Sequence, residues 1–283
     1  MTSGVRLFAD DCIIYRPVKT LKDAEALQKD LKILEKWVAD WLMELNPTKC
    51  KTMSVTRSPT PIVHPYTLLG HTLETEKTTD YLGVSISKDL RWNKHIDTII
   101  AKATSTLGVL KRNLKTSRTL IKERAYNTLV RPKVEYCSTV WDPHTQENKK
   151  KLEMVQRRAA RYVCNRYNNT SSVGSMLADL GWDTLEHRRA SSRMCMMYRM
   201  VHGLVAIPIE NYVTLAKTRS SNCKGGHNFK YQRHYIKQDY YAQSFFPRTI
   251  VQWNQLPNSV VNSETIDQFK SNIASVNFSA MKY

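Results

Sequence analysis

The sequence predicts an α+β protein that is mainly α, and three observations carry that prediction. Up to about residue 92, apolar and polar residues alternate in short runs, the pattern of half-buried strands. From about residue 93 the apolar spacing changes to three or four, the period of amphipathic helices. The 283 residues hold 41% hydrophobic side chains but only 9 Gly and 10 Pro. That is enough for a sizeable core, and too few breakers for a disordered chain.

The elements follow in order. Val5, Leu7 and Ala9 alternate with Arg6 and Phe8, then Asp10 and Asp11 precede Cys12-Ile13-Ile14-Tyr15. This reads as a hairpin with its carboxylates at the tip, ended by Pro17. Thr20 with Asp23 has the spacing of a capping box. Beyond it Ala24, Leu27, Leu31, Leu34, Val38, Trp41 and Leu45 make one apolar face of a long helix that Asn46-Pro47 stops. Residues 50–56, 66–74 and 80–86 read as strands, and Gly83 inside the last suggests close approach by another backbone. Ile96, Ile99, Ala103, Leu107, Leu110 and Leu114 form the face of a first helix in the α-rich part. A second helix spans 119–130, ending near Pro132, and a third spans 146–167. The polar break Asn168-Asn169-Thr170-Ser171-Ser172 is the best linker. Past it come a helix at 184–203, an irregular basic stretch at 217–243, and helices at 248–254 and 263–273. Three regions result: 1–92, 93–167 and 168–283.

Charge gives the first functional indication. The net charge is +18 and the pI about 9.7, which favours polyanionic partners. The basic excess is +1 over 1–92, +12 over 93–200 and +5 over 201–283. An excess gathered in one segment indicates a binding face better than it indicates general solubility. Lys149, Lys150, Lys151, Arg157, Arg158 and Arg161 crowd one predicted helix, where Glu153 alone is placed to pair with Arg157. Between 224 and 241, Lys230, Arg233, His234 and Lys237 interleave with Phe229, Tyr231, Tyr235, Tyr240 and Tyr241. Those aromatics either stack on unpaired bases or form core behind a cationic surface, and the sequence leaves both open.

Six dispersed cysteines without a C-x-x-C pair fit reduced intracellular thiols, not a disulfide framework. Cys223, His227 and His234 match no zinc spacing and read as coincidence. No signal pattern and no membrane-length apolar run is present. The chain therefore reads as intracellular, nuclear or cytoplasmic, with no membrane partner.

An Asp-Asp pair alone is a weak motif, but its setting is informative. Phe8-Ala9-Asp10-Asp11 resembles the metal-binding box of reverse transcriptases, in the form used by non-LTR, LINE-type retrotransposons of the jockey and CR1 kind. Four further stretches resemble the same family in the same order. They are Leu45-Asn46-Pro47-Thr48-Lys49-Cys50-Lys51; Tyr81-Leu82-Gly83-Val84 with Leu90-Arg91-Trp92-Asn93; Tyr136-Cys137-Ser138-Thr139-Val140-Trp141-Asp142-Pro143 with residues 152–161; and Ser244-Phe245-Phe246-Pro247-Arg248-Thr249-Ile250 with Trp253-Asn254 and Leu256-Pro257.

The resemblance implies an RNA-directed DNA polymerase as parent, working on an RNA template, a DNA primer and dNTPs with Mg²⁺. Asp10 and Asp11 would be its metal ligands, Lys49 and Lys51 would face nucleotide phosphates, and Tyr81, Leu82 and Gly83 would form a primer grip. The cations from Lys149 to Arg161 would track the duplex backbone. The three regions would be a partial palm, a helical thumb and a C-terminal domain. The family also places a metal-binding aspartate on an earlier palm strand, and no acidic residue precedes Asp10 here. The expectation is thus a truncated polymerase that keeps nucleic-acid binding and is inactive alone. Its rivals are an enzyme completed by a separate fingers–palm chain, and a repurposed RNA- or DNA-binding module.

Overall fold

The two apolar runs around the aspartates pair as a hairpin in the computed structural model of the chain, which describes residues 1–168, 170–216, 227, 229–233 and 239–281. Strand β1 (Gly4–Phe8) runs antiparallel to β2 (Asp11–Tyr15), with Phe8 opposite Asp11. Helix α1 (Leu21–Asp40) follows, opened by the expected capping box between Thr20 and Asp23. Asp30, buried on α1, accepts backbone N–H bonds from Thr2 and Ser3 at 3.0 and 2.7 Å and so ties the chain start to the helix.

The helix ends earlier than its apolar spacing predicts. Leu42 takes a left-handed φ of 51°. The Met43 N–H bonds back to the Val38 carbonyl at 2.9 Å and the Leu42 N–H to that of Ala39 at 3.1 Å. That is a Schellman closure, so Leu45 lies outside the helix although it continues the pattern.

The predicted strands become short pairs: β3 (Lys51–Thr52) parallel to β6 (Glu74–Thr75), and β4 (Thr67–Leu68) antiparallel to β5 (His71–Thr72). Gln28 of α1 both donates to the Thr67 carbonyl at 2.9 Å and accepts from its N–H at 2.8 Å, docking that turn on the helix. The predicted strand at 80–86 is instead a second hairpin, β7 (Thr78–Tyr81) and β8 (Val84–Ser87). Leu82 and Gly83 both have positive φ, 46° and 77°, the requirement of a tight two-residue hairpin turn. Gly83 therefore supplies a backbone angle that the turn requires. These elements form one compact unit, Met1–His95.

The second unit is Ile96–Tyr283, and it is helical. Helices α2 (Asn93–Asn113), α3 (Thr119–Leu129) and α5 (Gln146–Cys164) match the three expected, with a 3₁₀ turn at Arg131–Val134 and a short α4 (Ser138–Trp141) between. Ile96, Leu107, Leu110, Tyr126, Leu152, Val155 and Tyr162 are buried among them. The Tyr162 hydroxyl donates to the Leu110 carbonyl at 3.0 Å, locking α5 to α2. The last helix of this trio ends at Cys164 because Asn165 takes φ 52°, a conformation Asn tolerates better than most residues.

Helix α6 (Val173–Asp179), which the sequence does not announce, packs on α5. Helix α7 (Leu185–Val201) contacts α4, α5, α9 (Phe245–Trp253), which follows the short α8 (Asp239–Ala242), and α11 (Ile266–Ile273), so it is the spine of this unit. Met194, Met197 and Tyr198 meet Trp253, Val261 of α10 (Asn258–Val261), Phe269 and Ile273 in one apolar cluster. The fold is α+β and mainly α, with about half of the described residues helical.

Candidate catalytic hairpin and nucleic-acid interface

The β1–β2 turn places Asp10 and Asp11 at an exposed tip. Ala9 makes the turn with φ 50°, Asp10 follows it, and Asp11 opens β2. Asp10 therefore lies in the turn and Asp11 on the strand, and both are exposed. Two-ion phosphoryl transfer needs a wider set of oxygen ligands around ions about 4 Å apart. Among the described residues no three His, Cys, Asp or Glu side chains gather in a metal-binding group. The hairpin as it stands does not fit a two-ion centre. Beside it, burial and the neighbouring Cys50 push the Cys12 thiol up, keeping it protonated.

The other residues implied by the resemblance lie apart. Lys49 is exposed in the turn after α1, where its N–H bonds to the Asn46 carbonyl at 3.1 Å. Lys51 opens β3 and is ion-paired to Glu76 at 2.5 Å and Glu74 at 3.6 Å. The bond to Glu76 raises its ammonium above the ordinary lysine value, so the group stays charged while two carboxylates offset it. Tyr81, Leu82 and Gly83 form the β7–β8 turn, where Asp80 accepts a short hydrogen bond from Ser85 across the pair.

The predicted cationic helix is α5, and its charges divide. Lys149 pairs with Glu186 at 2.7 Å, and Lys151 with Glu147 at 3.0 Å and Asp97 at 3.4 Å. Glu153 does not form the expected ion pair with Arg157. It accepts the Leu185 N–H at 3.0 Å at the start of α7 and a bond from Gln156 at 3.3 Å. Burial raises its carboxyl above the usual range.

Lys150, Arg157 and Arg158 are exposed and Arg161 half-buried. The ammonium of Lys111 on α2 is lowered by burial and then by Arg158 across the helix pair. Two cations held this close together are a ready seat for phosphate oxygens. Of the aromatic–cationic block, Tyr231 is buried and Phe229 packs on the α7–α9 cluster. Arg233 and Tyr241 are exposed. Cys223, His234, Tyr235 and Lys237 lie outside the described residues, as do Asn169 and the side chain of Tyr240.

The sequence reading missed a buried polar centre. Asp142, just after α4, meets Arg189 at 2.9 Å, Arg248 at 3.1 Å and Arg193 in a short pair. All three arginines are buried, and Gln252 accepts from Arg193 at 2.5 Å. The neighbouring Trp141 is fully buried and donates to the Tyr136 carbonyl at 2.7 Å. Two of the five family-like stretches, at 136–143 and 244–250, thus meet at one ion cluster. Arginines scattered along amphipathic helices carry no sign of inward pairing in one dimension.

Residues 3–86, which hold the aspartate hairpin, match the family described as reverse transcriptase (RNA-dependent DNA polymerase). Over those residues the chain is similar to that family, in agreement with the resemblance its motifs carry. It is similar to the probable RNA-directed DNA polymerase from transposon BS of Drosophila melanogaster, 26% identical over 211 residues. It is also similar to the RNA-directed DNA polymerase from mobile element jockey of Drosophila funebris, 23% identical over 166 residues. The matches cover 70% and 56% of this chain but only 23% and 18% of those two proteins. No solved structure matches it.

Proposed function

We propose that this chain is a segment of a retrotransposon reverse transcriptase that binds an RNA–DNA template–primer duplex and does not polymerise by itself. In this reading residues 1–92 are palm-derived and carry Asp10 and Asp11 as vestigial metal ligands. Tyr81, Leu82 and Gly83 are the primer-grip turn, and Lys49 is a freer phosphate contact than the carboxylate-bound Lys51. Residues 93–167 are the thumb, residues 168–283 the C-terminal domain, and the setting is inside the cell.

The observation that carries binding is the set Lys150, Arg157, Arg158 and Arg161 on α5, in no ion pair among the described residues, with Lys111 beside it. Phosphate contacts of this kind hold a duplex without reading its sequence. The case against catalysis is the exposed Asp10–Asp11 pair, with no third ligand beside it among the described residues.

The test is binding of the full chain to a labelled RNA–DNA duplex across a salt series. Removing one cation that touches a phosphate should flatten the log–log salt slope by about 0.9. The double variant Arg158→Ala, Arg161→Ala should weaken binding about 10-fold, the order expected for two such cations. Asp10→Ala should leave it unchanged. Unaltered affinity in the double variant would discard the basic face. Primer extension with Mg²⁺ that disappears in Asp10→Ala would discard the non-catalytic reading.

A further inference from the structure

A cavity of about 270 Å³ opens beside the first turn of α9, in a part of the molecule to which the proposed function assigns no contact. Val213 and Ile250, both buried, line its apolar floor. Tyr212, Tyr241 and Phe246 supply aromatic walls. Tyr212 stacks on Phe246 with ring centroids 4.9 Å apart and 13° between planes. That contact fixes the plane of the Tyr212 ring, yet 52% of the residue is open, and Tyr241 is 51% open. Exposed aromatics occurring singly need no explanation. Two half-open rings lining one concave site, one of them already oriented, form a stacking surface.

Among the described residues the charge there has one sign. Arg233 is exposed and makes no ion pair with a described residue, Arg248 lines the wall, and among the described residues no acidic one lines the cavity. The Arg248 guanidinium is engaged by Asp142, so this arginine gives the cavity a rigid wall while Arg233 offers its charge to an incoming anion. The volume lies just under the range of small-molecule sites, about 300–1,000 Å³. It admits a flat ring and excludes a double helix, whose bases are paired and stacked out of reach.

We propose that this cavity takes one unpaired nucleotide of a single-stranded nucleic acid, its base against Tyr212 and Tyr241 and its phosphate on Arg233. The site differs in ligand and position from the duplex-binding face of α5, and its argument stands on its own geometry. A free mononucleotide shares the same chemistry, so the test separates the two sources.

The full chain is titrated, by fluorescence anisotropy at one low salt concentration, with a labelled oligothymidylate and with a labelled duplex. Tyr212→Ala and Tyr241→Ala should each weaken single-strand binding by about 5- to 100-fold, the range for one stacked base, and leave duplex binding unchanged. Tyr212→Phe, which keeps the ring, should retain wild-type affinity, and Arg233→Gln should lose several-fold on the single strand alone. Should Tyr212→Ala lower the melting temperature, the exposed Tyr241 keeps the test decisive.

Single-strand affinity indifferent to both tyrosines, or equal losses on strand and duplex, would overturn the proposal. So would thymidine monophosphate binding as tightly as the strand, which would make the free nucleotide the ligand. Duplex binding that still depends on Arg158 and Arg161 while the tyrosine variants do nothing would sink this cavity and leave the basic face standing. The opposite pattern would do the reverse.

Discussion

Removing the carboxylate of Asp142 would leave three buried guanidinium groups facing one another with no anion between them. Burial raises that carboxyl, but Arg193, Arg248 and Arg189 outweigh it and hold the group below the ordinary carboxylate range. Asp142→Asn should therefore destabilise the Ile96–Tyr283 unit by about 3–5 kcal/mol, the usual effect of breaking a buried pair by removing one partner. Urea unfolding followed by tryptophan fluorescence would measure it, since Trp253 reports on the same unit. A change under about 1 kcal/mol would show that the arginines find other partners. Asp30 poses the same question in the smaller unit. Burial pushes its carboxyl up, yet bonds from Ser3 and Thr2 win and bring it down to about 2. Its folded value lies below its unfolded one, near about 3.9, so its contribution is complete above that value. The contribution is lost as pH falls toward 2. The amide signals of Thr2 and Ser3 should broaden or shift across that window in wild type, and already at neutral pH in Asp30→Asn.

At the scale of elements, the ends of helices were harder to read than their existence. The apolar stripe of α1 continues through Leu45, but the helix stops at Asp40 because Leu42 closes it in a left-handed conformation. Leucine carries a Cβ penalty there that glycine does not. Leu42 is also 94% exposed, so it has little packing to lose. Leu42→Gly should stabilise the Met1–His95 unit by about 1 kcal/mol, read as a higher denaturant midpoint with an unchanged slope. A fall in stability would mean that the exposed leucine makes contacts of its own. The hairpin of β7 and β8 shows the same weakness of a one-dimensional pattern. Leu82, Val84 and Ile86 alternate as a single strand would, while positive φ at Leu82 and Gly83 folds the segment back on itself. By contrast α2, α3, α5, α7 and α11 stand close to where their periodicity puts them. Of these, α2, α5 and α7 each bury an apolar face long enough for the pattern to outweigh local accidents. The short α4, α6 and α10 have four to seven residues, less than two turns, and leave no readable period.

Across the whole molecule the two units differ in how much they bury. In Met1–His95 the buried apolar residues are Ala24, Leu31, Val38, Leu68 and Val84, and each of its sheets has two strands. Leu7, Phe8, Trp37 and Trp41 remain exposed on the hairpin and α1. The Ile96–Tyr283 unit buries large side chains throughout, Trp141, Tyr126, Tyr198, Trp253 and Phe269 among them. Few buried contacts and open strand edges mark a region of low local stability. Amide exchange should accordingly be slower in α2, α5 and α7 than in β1, β2 and α1. The reverse order would mean that the apolar face of the smaller unit is covered by something in solution.

Sequence alone determined the helical period of the second unit, the capping of α1, the hairpin that carries Asp10 and Asp11, the concentration of cations on α5, and the likeness to retrotransposon reverse transcriptases. Each depends on residues close together in the chain, or on motifs whose order survives without knowledge of contacts. Only the tertiary structure decided which cations are already neutralised. Lys51, Lys149 and Lys151 find carboxylates that include ones more than 20 residues away, while Arg157, Arg158 and Arg161 form no such ion pair among the described residues. It also brought Asp142 onto arginines from two distant helices, and set Tyr212 and Tyr241 around one cavity. Charge and aromatic character are properties of a residue. Whether they are available to a ligand depends on partners that the chain supplies only when it folds.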